Sequence, residues 1–267
     1  MKRIYAFPLA VLFAAACSEP TATPVTADLN PSFAKPVPPP SGPTVTGSLF
    51  TDSYNFDGDI IVAASSAWGT DCEGCIAAAA DDNIESVPAA PSNKFLGRFE
   101  TVGTRALLIV GDAGSEVSIE FDAYIIGSWD GKGRQAQQGT FQANVFSIGW
   151  RCENGATGTI FSTTFSNQLT VQQDYPLDIS AGGGNKAGLG AEAIDALGYI
   201  NRPDLSHTPQ FRSFGDATYH FAYSLVNPCA SVGDGGITFI FSSTNPLAQS
   251  PYDESWGIDN VVVKSDI

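Results

Sequence analysis

The chain is short of positive charge. Its 267 residues hold 13 Lys and Arg against 28 Asp and Glu, a net charge of −15. Neutralising phosphates needs the opposite sign, so the composition excludes a nucleic-acid partner. Charge of either sign is scarce as well, at 15%. Helical bundles and coiled coils draw on Glu, Lys and Arg, and a chain with 27 Gly and 11% aromatics does not suit them. Histidine is limited to His207 and His220. No HExxH, GxSxG or Ser-His-Asp spacing accompanies them, which argues against zinc and serine hydrolases. His220 sits mid-strand in Tyr219-His220-Phe221, where a packed or surface histidine is expected rather than a catalyst. What is present is apolar: 43% hydrophobic residues rule out a chain that is disordered throughout. The length allows one large domain or two small ones.

The N-terminus reads as an export signal. Met1-Lys2-Arg3 is basic, and residues 4–16 are apolar apart from Tyr5 and Pro8. The run is too short to span a bilayer as a helix, so residues 1–16 are expected to be a signal peptide. Ala14-Ala15-Ala16 directly before Cys17 resembles the lipobox of bacterial lipoproteins, although that family prefers Leu where Ala14 stands. The resemblance implies lipidation of Cys17 and attachment to the bacterial cell envelope. The alternative is an ordinary signal cleaved at the three alanines, giving a secreted protein. Residues 17–44 hold eight of the 17 Pro and read as an extended tether. Losing Lys2 and Arg3 with the signal takes the net charge to −17. Anionic headgroups repel such a surface, so any membrane attachment is expected to come through the lipid alone.

Residues 45–267 are expected to form a single all-β domain, an antiparallel β-sandwich of jelly-roll or concanavalin-like type. Short runs of Val, Ile, Phe, Tyr and Thr alternate with clusters of Gly, Asn, Asp, Ser and Pro. The expected strands are 59–64, 105–110, 116–127, 140–148, 157–163, 168–172, 218–225, 236–243 and 257–264. In Val117-Ser118-Ile119-Glu120-Phe121-Asp122 every second residue is apolar, so one face is buried and the other meets water. Ala123-Tyr124-Ile125-Ile126 loses the alternation, as a strand covered on both faces does. Residues 191–197 could make two helical turns and residues 75–80 one. Gly182-Gly183-Gly184 marks a loop and not a phosphate cradle, because no P-loop Lys follows it.

Two motifs carry a resemblance. Glu120–Gly131, EFDAYIIGSWDG, and Asp253–Val263, DESWGIDNVVV, are similar to stretches of exported bacterial β-sandwich domains of the jelly-roll and concanavalin-like kind. Phe95–Glu100 and Thr163–Asn167 fit the same pattern. In jelly-roll carbohydrate-binding modules an Asp on the last strand often helps to hold a structural calcium. The resemblance therefore implies Ca2+ at Asp259, with Asp57 or Glu100 contributing. The competing reading is that these acids are ordinary turn residues.

Four cysteines follow Cys17: Cys72, Cys75, Cys152 and Cys229. An even number in an exported chain implies disulfides, with three possible connectivities. A Cys72–Cys75 loop would leave Cys152–Cys229 to join distant strands, and this pairing is preferred. A four-Cys zinc site lacks a second close pair, and a redox CxxC lacks its βαβ setting.

Glycan binding without catalysis is the leading functional expectation. Trp129 and Trp256 sit beside polar turns, with Asp130 next to the first, so a ring could stack on sugar while the carboxylate takes hydroxyls. Core packing is the other reading for both tryptophans, and their place inside the motif stretches favours it. Trp68, Tyr54, Tyr124 and Tyr252 add aromatic surface, and Trp150 is placed to pack near Cys152. A glycoside hydrolase is the alternative. Concanavalin-like glucanases carry Glu-x-Asp-x-Glu on one strand, whereas Glu120-x-Asp122 is followed here by Tyr124. A third possibility is a structural or adhesive envelope protein without a small ligand.

Overall fold

Alternation dictates the architecture. In a computed structural model of the chain, β6 (Glu116–Gly127) buries Val117, Ile119, Phe121, Ala123 and Ile125 on one face. That face must meet an apolar partner, and a second sheet supplies it. The structure describes residues 49–54, 56, 68–72, 84–100, 104–110, 113–133, 143–200, 213–230, 236–244 and 252–266. All of them lie in one compact unit within residues 33–267.

Among the described residues the first sheet has seven strands. β3 (Ile84–Val87), β4 (Ala90–Glu100), β12 (Glu254–Asp266), β6, β10 (Asp216–Val226) and the short β9 (Ala193–Ile194) follow in that order, while β1 (Leu49–Tyr54) also pairs with β12. The second runs β2 (Trp68–Cys72), β5 (Thr104–Val110), β11 (Ile237–Thr244), β7 (Val145–Cys152) and β8 (Thr157–Thr164). Every strand pairing among the described residues is antiparallel. Among the described residues there is no α-helix, only a 3-10 turn at Ile179–Ala181, and no helix long and apolar enough to cross a membrane. The molecule is thus the antiparallel β-sandwich expected.

Phenylalanines fill the space between the sheets. Phe221 of β10 stacks on Phe121 at 5.0 Å and lies 6.1 Å from Phe146 of the opposite sheet. Each such side chain contributes about 1.5–3 kcal/mol by leaving water. β12 shows how a strand keeps its apolar face inward across an irregularity. Trp256 and Ile258 are buried before a bulge, Val261 and Val263 after it, so the inward set changes from even to odd numbers. Asn260, at φ 51°, accommodates the extra residue.

Cys152 ends β7 and Cys229 lies in the turn after β10, and the two form a disulfide. It ties one sheet to the other, as expected for two distant segments. Closing a loop of 77 residues restricts the unfolded chain by about 4.5 kcal/mol in the loop-entropy treatment. Cys72 ends β2, and Cys75 lies outside the described residues.

Several expected elements differ. The strand expected at 140–148 begins at Val145 and runs on to Cys152. Residues 168–172 form a turn closed by Val171 N–H donating to Gln168 O. The Gln168 side chain is engaged by Ser128 O and Asp130, so the segment follows those partners and not a ladder. Residues 191–197 make no helix: Glu192 and Asp195 N–H donate to Thr218 and Asp216 O along β10, and Asp195 and Gly198 have positive φ. β3 and β4 went unforeseen, because APSNKFLGRFE begins polar and with Pro. The Gly182–Gly184 stretch is a loop, as expected. Residues 1–44 with Cys17, the strand expected at 59–64 and the turn expected at 75–80 lie outside the described residues.

Candidate functional site

The motif tryptophans are structural. Trp129 is fully buried, and its Nε1–H donates to Ser255 O at 2.9 Å. Trp256 is fully buried against Phe99 at 4.7 Å and Phe146 at 5.5 Å. Neither ring can stack on a sugar. Asp130 is buried too, bridged to Ser166 and accepting from Gln168 Nε2. The two motif stretches meet in the fold, where Ser128 N–H donates to Asp253 O at 2.7 Å. Asn167 donates to Ile125 O and Gly127 O, its own N–H donates to Trp129 O, and Asn144 donates to the buried Glu254. They clamp one end of the sandwich.

Of the residues implied for calcium, Glu100 and Asp259 do not share a site. Glu100 pairs with Ser255, four residues before Asp259 on the same strand, a separation of about 13 Å at the rise of a strand. Asp259 already accepts from Tyr124 OH at 2.9 Å and from Asn260 N–H at 2.8 Å. Asp57 lies outside the described residues. Among the described residues no three His, Cys, Asp or Glu side chains form a metal-ligand set.

The outer face of the seven-stranded sheet gathers the chemistry instead. On β4, Arg98 points outward, where its Nε–H donates to Ser255 Oγ at 3.2 Å. Its guanidinium lies 5.0 Å from the Tyr199 ring and 5.2 Å from the Tyr252 ring. Both are cation–π distances. Arg98 also meets Glu85 at 3.5 Å, and Tyr199 OH donates to the same Glu85 oxygen at 3.0 Å. Tyr252 is 74% exposed. Beneath this group Phe95, Tyr124, Ile126, Val87 and Leu197 form a small second core that covers part of the outer face. This is why residues 123–126 lose their alternation.

Tyr199 is held from below. The fully buried Asp216 accepts from the N–H groups of Leu197 at 3.0 Å and Tyr199 at 3.1 Å. Burial pushes its carboxyl above the ordinary range, and those two donors pull it part of the way back. Burial also raises the Tyr199 phenol, as does the charge of Glu85, so this ring stays neutral.

Further along the face lies a polar row from three neighbouring strands. His220 pairs with Asp122, and Asp122 with Asp259. Asp122 accepts from Asn260 Nδ2 at 2.8 Å, and its other oxygen lies 2.8 Å from His220 Nδ1. Glu120 Oε1 lies 3.3 Å from His220 Nε2. Carboxylates directly opposite one another repel. Here a hydroxyl, an amide and an imidazole separate them.

Of these groups, Tyr252, Asp122 and Asp259 were visible as surface or acidic residues in the sequence. Arg98, Tyr199 and Glu85 were not, because over 100 residues separate Glu85 from Tyr199 and only the fold unites them. No protein-family model, curated protein or solved structure matches this chain.

Proposed function

We propose that this domain is an exported, non-catalytic glycan-binding module whose ligand lies on the outer face of the seven-stranded sheet. The carrying observation is the Tyr252–Arg98–Tyr199 group with Glu85 at its edge. An exposed phenol ring offers its apolar face to the CH face of a sugar, and Arg98 and Glu85 offer a donor and an acceptor to hydroxyls. Signal, tether and lipid at Cys17 would hold such a module away from the membrane of a bacterial envelope. The bound calcium implied by the resemblance forms no part of this reading.

A glycan array probed with the full-length mature chain, followed by calorimetry on the best oligosaccharide, tests it. Tyr252→Ala should weaken binding at least tenfold, a loss of about 1.4 kcal/mol. A silent array, or undiminished binding by Tyr252→Ala and Arg98→Ala alike, removes the proposal. A second reading rests on the carboxylate row. Asp259 accepts from Tyr124, which stands where the third acid of Glu-x-Asp-x-Glu would be, and so brings a carboxylate beside Asp122. Release of reducing ends that Asp122→Asn abolishes would make the protein a hydrolase instead.

A further inference from the structure

An arginine among surface tyrosines would ordinarily suit an acidic sugar, because a guanidinium fits the oxygens of a carboxylate or a sulfate. Here the guanidinium already has its carboxylate. Arg98 Nη1 lies 3.5 Å from Glu85 Oε1, and that oxygen also accepts from Tyr199 OH at 3.0 Å. Arg98 Nε–H donates to Ser255 Oγ, and the rings of Tyr199 and Tyr252 lie beside its guanidinium. Exposure follows from this packing: the Arg98 side chain is 15% accessible and that of Glu85 is 37%. A ligand arriving from solvent therefore meets the Tyr252 ring and a carboxylate more readily than the cation.

The polar row further along the same face carries the same sign. The carboxylates of Glu120 and Asp122 are both partly exposed there, with only His220 between them. An acidic sugar seated on Tyr252 would set its own charge against Glu85. It could reach Arg98 as an ion pair only by displacing Glu85, which would cost that carboxylate its cation. Juxtaposed like charges are a principal means by which a surface rejects the wrong partner. The hydroxyls of an uncharged sugar meet no such penalty, since they donate to the Glu85 oxygens while the ion pair stays in place.

We infer that the Tyr252–Arg98–Glu85 group selects uncharged glycans and rejects uronate and sulfated ones. Glu85 is the residue that sets this specificity, and Arg98 is the positioning residue that holds it. The inference rests on the glycan reading and goes beyond it by naming the class of sugar.

The test is an array of neutral glucans, mannans and galactans beside galacturonans, alginates and sulfated galactans of matched length, probed with the full-length mature chain. Uncharged members should bind about tenfold or more tightly than any acidic member. Calorimetry then compares the tightest uncharged oligosaccharide with the same chain oxidised at its primary alcohols to uronate. Glu85→Gln keeps an acceptor for Tyr199 OH and removes the charge, so it should narrow that gap about tenfold. The wild-type comparison stands whatever the variant does to folding. Silence toward every member removes the glycan reading and this inference with it. Acidic members that bind as tightly as uncharged ones, or a gap unchanged in a folded Glu85→Gln, overturn the inference and leave glycan binding in place.

Discussion

On β10, Phe221 points between the sheets and lies within 5.0–6.3 Å of six other aromatic rings. Its neighbour His220 points the other way and meets Asp122 and Glu120 in the open. The two faces of the seven-stranded sheet are drawn from alternate residues of the same strands, yet different physics holds them. Between the sheets the driving force is removal of apolar surface from water, which is additive and tolerant of direction. Outside, the Tyr252–Arg98–Tyr199 group and the carboxylate row depend on distance and angle, and water screens them. Stability is therefore concentrated between the sheets and in the small second core, while the polar groups of the outer face lie where changing an exposed side chain costs the fold little.

That contrast can be broken by two adjacent substitutions. Phe221→Ala should destabilise the domain by about 3–5 kcal/mol, through lost burial and the cavity left among the surrounding rings. His220→Ala should cost no more than about 1 kcal/mol, the range of exposed ion pairs. Urea denaturation of both variants measures the difference. A His220 effect comparable to that of Phe221 would mean that the outer row supports the fold, and the division between faces would be lost.

The same contrast explains what could be read in advance. β6 was legible to the residue, and β8 and β10 nearly so, because alternation over residues 117–122 and the unbroken apolar run that follows both mark strand, the first buried on one face and the second on two. β12 was partly legible: the bulge at Asn260 changes which residues point inward, so WGIDNVVV shows no steady period of two. β4 was hidden, since its inward Leu96 and Phe99 alternate irregularly with an outward Phe95 that serves the second core. The Cys152–Cys229 pair was legible from count and spacing. The tryptophans were the hardest, because a Trp beside a polar turn looks the same in sequence whether it lies above the turn or beneath it. Only the partners of Trp129 and Trp256, a carbonyl and other rings, distinguish the two.

Asp216 belongs to neither face cleanly, and it sharpens the comparison with a pH dependence. Its folded pKa is raised above the ordinary 3.8 mainly by burial. A raised acid binds its proton more tightly when folded, so its contribution is fully present below 3.8 and is lost as pH rises through the folded value. Asp178 has the opposite sign. Burial alone would raise it, but donors from Ser180 and Ser162 outweigh that, so its contribution is present above 3.8 and lost as pH falls through the lowered value. Asp216→Asn removes one acceptor and should cost about 1–3 kcal/mol. The gap between wild type and variant should widen as pH falls from neutral toward 3.8. A gap that narrows would show that the N–H groups of Leu197 and Tyr199 prevail over burial.

The smallest effect is expected at Glu100. Its side chain is exposed, whereas its carbonyl oxygen accepts from Trp256 Nε1 at 3.3 Å and Ser243 Oγ at 3.4 Å. Glu100→Ala keeps the carbonyl and removes only the carboxylate. It should change stability by no more than about 0.5 kcal/mol, as surface substitutions generally do. Phe99, one residue earlier, points the other way onto Trp256, and its truncation belongs with the large effects at Phe221. Because Glu100 of β4 pairs with Ser255, four residues along β12 from Asp259, the thermal midpoint of Glu100→Ala should respond to added Ca2+ or to EDTA as wild type does. A calcium-dependent stabilisation that vanishes in Glu100→Ala would show that this carboxylate reaches a metal the described residues do not assemble, and would give the outer face a structural duty at its edge.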